Sequence, residues 1–479
     1  MAHEREALEK GIKLRSLFSL SFGTIIGVGW ITVMGSWLSG AGSMGAIIAF
    51  VVGGLAMLVI GLCYAEMASM YPVSGGEVAY VLEAWGPRWS FAAAWFLAFA
   101  YIFGTAFEAI SVEWIMSALV PGFGGPVIYS VFGQAVRLWS LLLGLAIMAV
   151  IGVINYRGGK TAAWFQDIMT VGLVLASAIF IAVGVFAGDV ANLQPTFVGD
   201  TPRAVVIGIV GVLATIPFWF AGFDTIPQAM GEVEEGTNLH LLPRVIALSI
   251  VLALVFYCLV IVAATMSLPR PELLAMELPA AAAMEAAFGS PLLGKIVLFA
   301  GLCGLITTWN ALFFASTRIV FSLGRGHMIP HRFARVHDRF GSPSTAVIFV
   351  GVMGGLGALF GRNAILVIVS ASASTAALVF ALVVIGVAKL RSTRRDHERP
   401  YRVPGGMAFL YLAIVLSLGL LATAVYEQYH SAGGRMPTEW IVILAWALLG
   451  ALFYKAASPM RREVSEEERR RLILDADQG

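Results

Sequence analysis

Two acidic side chains stand inside long apolar runs of this sequence and are the side chains most able to do chemistry there. Glu108 ends the stretch YIFGTAFE, and Asp224 follows a glycine and a phenylalanine. A buried carboxylate is costly unless it is paired or protonated. Glu108 could carry a proton or hold its helix by a permanent hydrogen bond, and both readings stay open. Asp224 could cap the helix that follows it or take part in proton coupling or gating.

Glycine and proline interrupt two apolar runs, GTIIGVG at 23–29 and PFWFAGFD at 217–224. Amides near 27–29 would hold a carboxylate at the positive end of a half-helix, and free carbonyls near Thr24, Ile25 and 218–220 would accept bonds from an ammonium group. The candidate substrate-binding residues are Thr24, Ile25, Ile26, Gly27, Val28, Gly29, Phe218, Trp219, Phe220, Ala221 and Gly222. Phe218 is the ring placed to cap a substrate or make a cation–π contact. The alternatives are kinks, close helix packing, and rings that only pack against lipid.

The amino-acid composition indicates that these residues lie in a lipid membrane rather than in a water-soluble protein. Of 479 residues, 59% are hydrophobic and 13% charged, and the net charge is +2. So many apolar residues cannot be hidden in a water-soluble core, which excludes a soluble enzyme, and the small charge argues against a nucleic-acid partner. At about 20 residues per crossing, we predict an all-α integral membrane protein with twelve transmembrane helices. The predicted spans are 16–39, 44–68, 89–119, 135–154, 164–187, 203–230, 243–267, 291–317, 343–360, 364–388, 407–427 and 438–455.

The distribution of basic residues predicts the orientation. With the N-terminus inside, most of the 31 lysines and arginines fall in cytoplasmic segments, as the positive-inside rule requires. Both termini are then cytoplasmic. The outer side keeps Arg137, Arg203, Arg270, Lys295, Arg362 and Arg435. Because Cys63, Cys258 and Cys303 lie inside apolar runs, we expect no disulfide-linked heavy chain.

Two interruptions at corresponding places, five spans apart, are typical of transporters built from inverted repeats. Four stretches also make the sequence resemble the amino acid, polyamine and organocation transporter superfamily: 23–29, YAEMASMYPVSGG at 64–76, GFD with GEVE at 222–234, and RPYRVPGG at 399–406. The resemblance implies a LeuT-type 5+5 inverted repeat with broken helices 1 and 6. The predicted parts are a cytoplasmic N-terminus at 1–15, repeats at 16–188 and 203–390, two further helices at 407–455, and a cytoplasmic tail at 456–479.

The resemblance implies a secondary active transporter, or permease, of the plasma membrane that moves an amino acid or related amine by alternating access. Proton-coupled symport is the first expectation. An uncoupled or obligatory exchanger and a non-transporting membrane sensor on the same fold remain alternatives. Some proton-coupled relatives have a lysine in span 5, whereas 170–174 contains none. Thr307 and Thr308 offer hydroxyls for a sodium ion instead.

The sequence contains no catalytic constellation and no metal-spaced set of histidines and cysteines. We therefore expect no enzyme activity, no metal and no cofactor. The expected partners are the small-molecule substrate and the lipid bilayer. Gly326 stands where the family's basic loop has an acidic residue.

Overall fold

The computed structural model describes residues 7–120, 122–131 and 133–474, and the chain is nearly all helical. Residues 1–6 of the predicted N-terminal segment and 475–479 of the predicted tail lie outside the described residues. In chain order the first helices are α1 Leu14–Ile26, α2 Gly29–Thr32, α3 Met34–Met70, α4 Gly76–Trp85, α5 Pro87–Leu119, α6 Leu138–Tyr156, α7 Gly159–Ala187, α8 Pro202–Leu213, α9 Ile216–Trp219 and α10 Thr225–Ala229. The remaining helices are α11 Leu242–Ser267, α12 Arg270–Leu274, α13 Pro279–Phe288, α14 Pro291–Arg325, α15 Ser344–Ala358, α16 Ala364–Thr393, α17 Gly406–Ser431, α18 Thr438–Ala456, α19 Ser458–Glu463 and α20 Glu466–Leu474.

Eleven helical stretches of the described chain are long and apolar enough to cross a membrane. This confirms a multi-span helical membrane protein, as expected where lipid offers backbone groups no hydrogen-bond partners. The number twelve is not confirmed, because the ninth predicted span corresponds to α15, which is apolar but has only 15 residues. Four apolar stretches are the most buried: the one formed by α1 and α2 together, and those of α5, α14 and α16. In an 18-residue apolar segment of each of them 78% of the residues are buried, whereas the share is 11% in the corresponding segment of α18. The first group therefore forms the centre of the bundle.

The predicted spans 16–39 and 44–68 meet at a sharp bend inside α3. Gly42 has φ 78° there, in the left-handed region that favours glycine. A Cβ at this position would lie 2.7 Å from the Thr196 carbonyl oxygen and 2.9 Å from the Phe197 Cα. The Met44 amide donates to the same Thr196 carbonyl at 2.9 Å. The turn between the first two spans is therefore packed against the loop before α8.

The described chain contains a two-stranded antiparallel hairpin, which an all-α fold does not include. Its strands are β1 Val127–Val131 and β2 Gln134–Arg137, with Val131 opposite Gln134. The predicted span 135–154 therefore begins too early, because its first residues belong to β2 and α6 starts at Leu138. Valine, isoleucine and tyrosine in β1 favour a strand over a helix.

The N-terminal segment packs beside the C-terminal half of α14. Amides of Gly11 and Ile12 donate to the Glu232 carbonyl at 2.8 and 2.9 Å. Arg318 of α14 donates to the two carboxylate oxygens of Glu232 at 2.6 and 2.9 Å, and both side chains are fully buried. One residue, Glu232, thus joins the N-terminal segment to α14.

The C-terminal tail is folded and packs at the same end of the bundle. Arg469 of α20 donates from Nε to the Gly326 carbonyl at 2.9 Å, directly after α14. The buried Ile473 side chain lies where a side chain on Gly326 would be, since a Cβ there would be 2.5 Å from Ile473 Cδ1. Arg470 pairs with Glu83 of α4 at 2.5 Å. Both ends of the described chain therefore lie at one end of the bundle, here named the termini end.

Candidate functional site

The first helix break is centred on Gly27. α1 ends at Ile26, Gly27 has φ 51° and ψ −153°, and α2 begins at Gly29. This conformation directs the chain out of the helix, and the Val28 amide has no backbone acceptor among the described residues. The Gly27 carbonyl packs directly on Gly304 of α14, where a Cβ would overlap it. The break thus leaves the Val28 amide without a backbone partner in the described chain, at the centre of the bundle.

The second break separates α9 from α10. Gly222 has φ 144° between them, and a Cβ on it would lie 2.9 Å from both the Ile25 amide nitrogen and the Thr24 Cβ. The two breaks therefore touch each other. Asp224 Oδ1 accepts from the Gly222 amide at 2.7 Å and makes no hydrogen bond to the amides of α10. The capping role expected for Asp224 is thus wrong, since its side chain turns back to stabilise the break itself.

A small cavity lies between the breaks. Its volume is about 20 Å³, which suffices for about one water molecule. The lining residues are Thr24, Ile25, Ile26, Gly27, Val28, Gly29, Ala100, Tyr101, Phe107, Glu108, Phe218, Trp219, Ala221, Tyr257, Thr308, Leu312, Ser372 and Ala376.

Most of the residues predicted to bind substrate line this cavity, and three of the predicted site residues do not. Phe220 packs instead on Phe50 and Tyr257, with ring centroids 6.4 and 5.8 Å away. Gly222 lies against α1, and Asp224 is fully buried behind the second break.

The carbonyls at the end of α1 are already engaged by side chains. Tyr257 of α11 donates its hydroxyl to the Ile25 carbonyl at 2.6 Å, and Thr308 Oγ1 donates to the Thr24 carbonyl at 3.0 Å. Thr307 Oγ1 donates to the Gly23 carbonyl at 2.9 Å. Each carbonyl oxygen has a second lone pair, so the Thr24 and Ile25 oxygens can still accept one further bond from a ligand, whereas the Gly23 oxygen also accepts from the Gly27 amide at 3.4 Å. The two threonine hydroxyls fasten α14 to α1 in this conformation.

The aromatic residues beside the second break are held in one cluster. Trp219 donates from Nε1 to Thr215 Oγ1 at 2.8 Å, and its ring lies directly on Gly29, where a Cβ would overlap it. Phe218 packs edge-on against Trp219 and Phe107, with centroids 4.9 and 5.6 Å away. Trp219 is buried and Phe218 is half-buried. Trp219 therefore does not face lipid, and Phe218 is the less constrained ring of the two.

Glu108 is the carboxylic acid of the cavity wall. It is 1% exposed, and its Oε2 has no hydrogen-bond partner among the described residues. The alternative of a helix held by a permanent hydrogen bond from this oxygen is therefore not what the structure shows. Ser372 of α16 also lines the cavity with a buried hydroxyl lacking a partner in the described chain.

Sequence reasoning missed the side chains that other helices bring to the cavity, notably Tyr257, Ser372 and Phe107. One feature of the sequence could have pointed to Tyr257, because its side chain carries a hydroxyl group in the middle of the apolar stretch that forms α11. Nothing local distinguished Phe107 or Ser372.

Comparison with known proteins identifies the family of this chain. A family model described as amino acid permease matches residues 12–446. The branched-chain amino acid permease BcaP of Bacillus subtilis (strain 168) is 27% identical over 466 residues, covering 94% of this chain and 93% of that protein. The methylthioribose transporter of the same organism is 24% identical over 460 residues, with 94% and 93% covered. Human Asc-type amino acid transporter 1 is 28% identical over 359 residues, with 72% and 65% covered. Since the family model spans most of the chain, the protein belongs to the amino acid permease family, as its sequence motifs indicate.

Proposed function

We propose that this permease is a secondary active transporter of an amino acid with an apolar side chain, working by alternating access and driven by protons. The observation that carries the proposal is the contact of two broken helices around a cavity that holds an unpaired carboxyl group, Glu108. Apolar residues from five helices, α1, α5, α9, α14 and α16, form most of the wall, which suits an apolar side chain. The similarity to a branched-chain amino acid permease supports the same class of substrate.

The backbone of the first break provides opposite partners for the two charges of an amino acid. The substrate carboxylate would accept from the amides of Val28 and Gly29, at the start of the second half of the broken helix. The ammonium group would donate to the remaining lone pairs of the Thr24 and Ile25 carbonyls. In the closed cavity there is room for about one water molecule, so loading requires a wider conformation. Phe218 is the ring expected to move, because Trp219 is held by Thr215.

The proposed architecture has twelve spans, repeats at 16–188 and 203–390, and two further helices at 407–455. Both described ends of the chain lie at the termini end, and an even number of crossings is needed to return a chain to the side on which it began. Counting the apolar α15 as a crossing gives twelve. The positive-inside rule then makes the termini end cytoplasmic, in a plasma-membrane protein.

Glu108 is the proposed proton acceptor on the outer side of the cavity. A carboxylate without a fixed cation is costly in a membrane, so protonation would neutralise it during the crossing. Asp224, which is fully buried at the second break, is the proposed gating residue on the inner side.

Thermal-shift measurements on the purified protein with a panel of amino acids and their decarboxylated amines test the substrate class. A ligand stabilises the folded state by RT ln(1 + [L]/Kd), and we expect the largest shift with L-isoleucine or L-leucine. Uptake of tritiated L-isoleucine into proteoliposomes, with and without an inward proton gradient, tests the mechanism. Exchange without gradient-driven accumulation would favour the exchanger, and binding without any exchange would favour a sensor.

A further inference from the structure

A second group of buried polar side chains lies behind the cavity wall. Glu77 of α4 and Asp224 at the second break are both fully buried. Tyr64 of α3 and Tyr101 of α5 complete the group, and the buried Gln228 of α10 donates to Glu77. Tyr101 also lines the cavity that holds Glu108. The group therefore connects the proposed substrate cavity to α4.

Each acid in this group has one oxygen engaged by an amide. Gln228 Nε2 donates to Glu77 Oε2, and the Gly222 amide donates to Asp224 Oδ1 at 2.7 Å. In the described part of the chain, the second oxygen of each acid accepts from no amide and no basic side chain, and the hydroxyls of Tyr64 and Tyr101 face Glu77 and Asp224 respectively. A tyrosine hydroxyl is thus available beside each acid. The second carboxylate oxygen of each acid either accepts a hydrogen bond from this hydroxyl or carries a proton itself.

No lysine, arginine or histidine of the described chain forms an ion pair with either acid. Arg318 of α14 is committed to Glu232, and Arg391 of α16 is committed to Glu66. The charges of Glu77 and Asp224 act on each other, and the other titratable groups that face them are Tyr64, Tyr101 and Tyr80. Two like charges in a buried site without a cation cannot both be ionised.

We propose that Glu77 and Asp224 together hold one transported proton and form the inner proton site of this permease, with Tyr101 linking them to the cavity and Glu108. The inference deepens the proposed function and rests on it for the direction of proton movement. Glu108 and Tyr101 are seven residues apart on α5, about two helical turns, so they face the same side at successive depths. The proton would bind at Glu108 from outside and leave from the Glu77–Asp224 pair.

The position of the pair explains how release is coupled to opening. Glu77 is on α4, whereas Asp224 and Gln228 belong to the second break and α10. These two parts are in close contact, since a Cβ on Gly76 would lie 2.5 Å from Pro227 Cβ. An opening between α4 and α10 would separate the acids, admit water, and allow both to ionise. The proton would leave as H₃O⁺, and the pair would take up a new proton when it closes again.

Infrared spectroscopy of the purified full-length protein tests the inner site without a substrate. We expect the carbonyl stretch of a protonated buried carboxyl group at neutral pH, and a loss of intensity in that band in Glu77→Gln and in Asp224→Asn. Glu83→Gln is the matched control, because Glu83 lies on the same helix but pairs with two arginines. If Glu77→Gln fails to fold, Asp224→Asn carries the test. Unchanged band intensity in both acid variants would overturn the proposal.

Transport measurements separate this inference from the proposed function. In wild-type proteoliposomes, an inward proton gradient should drive accumulation of tritiated L-isoleucine with proton uptake seen by an internal pH dye. Glu77→Gln should keep isoleucine exchange but lose the gradient-driven accumulation, and Tyr101→Phe should lower the number of protons moved per isoleucine, whereas Glu83→Gln should keep both exchange and accumulation. If the wild type exchanges isoleucine without moving protons, the proposed coupling fails while the infrared result still decides the inner site. If Glu77→Gln moves as many protons per isoleucine as the wild type, the inner site is refuted.

Discussion

The Tyr257 hydroxyl donates to the Ile25 carbonyl at 2.6 Å and lies 3.4 Å from the Trp219 carbonyl oxygen, so one side chain of α11 joins the ends of both broken helices. The ring is held independently, because it stacks on Phe50 with a centroid distance of 4.5 Å. The two functions of this residue, packing and hydrogen bonding, can therefore be separated by removing one atom.

Tyr257→Phe should keep the ring packing and leave the Ile25 carbonyl without its donor. An unsatisfied buried acceptor costs about 1–3 kcal/mol, so we expect a lower unfolding temperature and weaker L-isoleucine binding. Thermal unfolding in detergent measures the unfolding temperature, and a thermal-shift titration measures the binding of L-isoleucine. Tyr411→Phe on the exposed face of α17 is the control and should change neither. Equal stability of the two variants would contradict the bridging role.

Gly29→Ala should close the cavity. The added Cβ would meet the Trp219 ring, and that ring is held by its bond to Thr215 at 2.8 Å. Overpacking of this kind costs about 1–3 kcal/mol, and we expect L-isoleucine binding to be lost while the protein still inserts. Gly40→Ala is the control, since a Cβ there has nothing within 4 Å. Wild-type affinity in Gly29→Ala would show that the substrate does not use this break.

Glu232→Gln should be strongly destabilising. Its carboxylate accepts two bonds from buried Arg318, and breaking a buried ion pair from one side costs about 3–5 kcal/mol. Glu235→Gln, three residues on, removes an exposed partner of Lys10 and should cost less than about 1 kcal/mol. Thermal unfolding of the two variants side by side checks the difference. Similar unfolding temperatures would contradict it.

Single cysteines at Ser431 and Ser465 should label from opposite sides of the membrane. Ser431 ends α17 and Ser465 precedes α20, and both are exposed. With the termini cytoplasmic, an impermeant maleimide added to intact cells should label position 431 only. The native cysteines are buried or half-buried, and the unsubstituted protein measures their background. Labelling of 465 with 431 protected would reverse the orientation.

Gly326→Asp should release α20 from the bundle. The new side chain would occupy the space of Ile473, whose Cδ1 lies 2.5 Å from a Cβ at this position. We expect trypsin to cut within α20 sooner than in the wild type, as followed by mass spectrometry of the fragments. Ser392→Asp, an exposed substitution at the end of α16, is the control and should leave the cleavage rate unchanged. Equal cleavage rates would show that α20 is held by its arginines alone.

The backbone half of the candidate site could be predicted from the sequence because its signals are local. The two interruptions at corresponding places of apolar runs mark where a helix stops, and Gly27 and Gly222 at these places both have positive φ. The side-chain half could not be predicted in the same way. Tyr257 and Ser372 belong to α11 and α16, which are distant in sequence from the first break. Only the packing of the helices determines that these side chains face the cavity.

The fold was predictable where apolar length alone decides the element. A boundary failed where a short strand continues an apolar run, as at β2. The predicted number of twelve is not reached because the apolar helix α15, although it lies where the sequence predicts it, has only 15 residues. The folded tail was also not anticipated. Its docking depends on Gly326 having no side chain, and the sequence shows the missing acidic residue but not that Ile473 takes its space.

Ile12, near the start of the described residues, forms part of a short parallel bridge. Ile12 bridges to Val233, with the Ile12 amide donating to the Glu232 carbonyl at 2.9 Å and the Glu234 amide donating back to Ile12 at 3.0 Å. Because only residues 230–232 separate this bridge from α10, we expect a shift of that helix to pull the amino-terminal segment with it. A fluorophore attached ahead of Leu8, paired with an acceptor dye at the loop after α14, would then report each cycle through energy transfer without any label near the cavity.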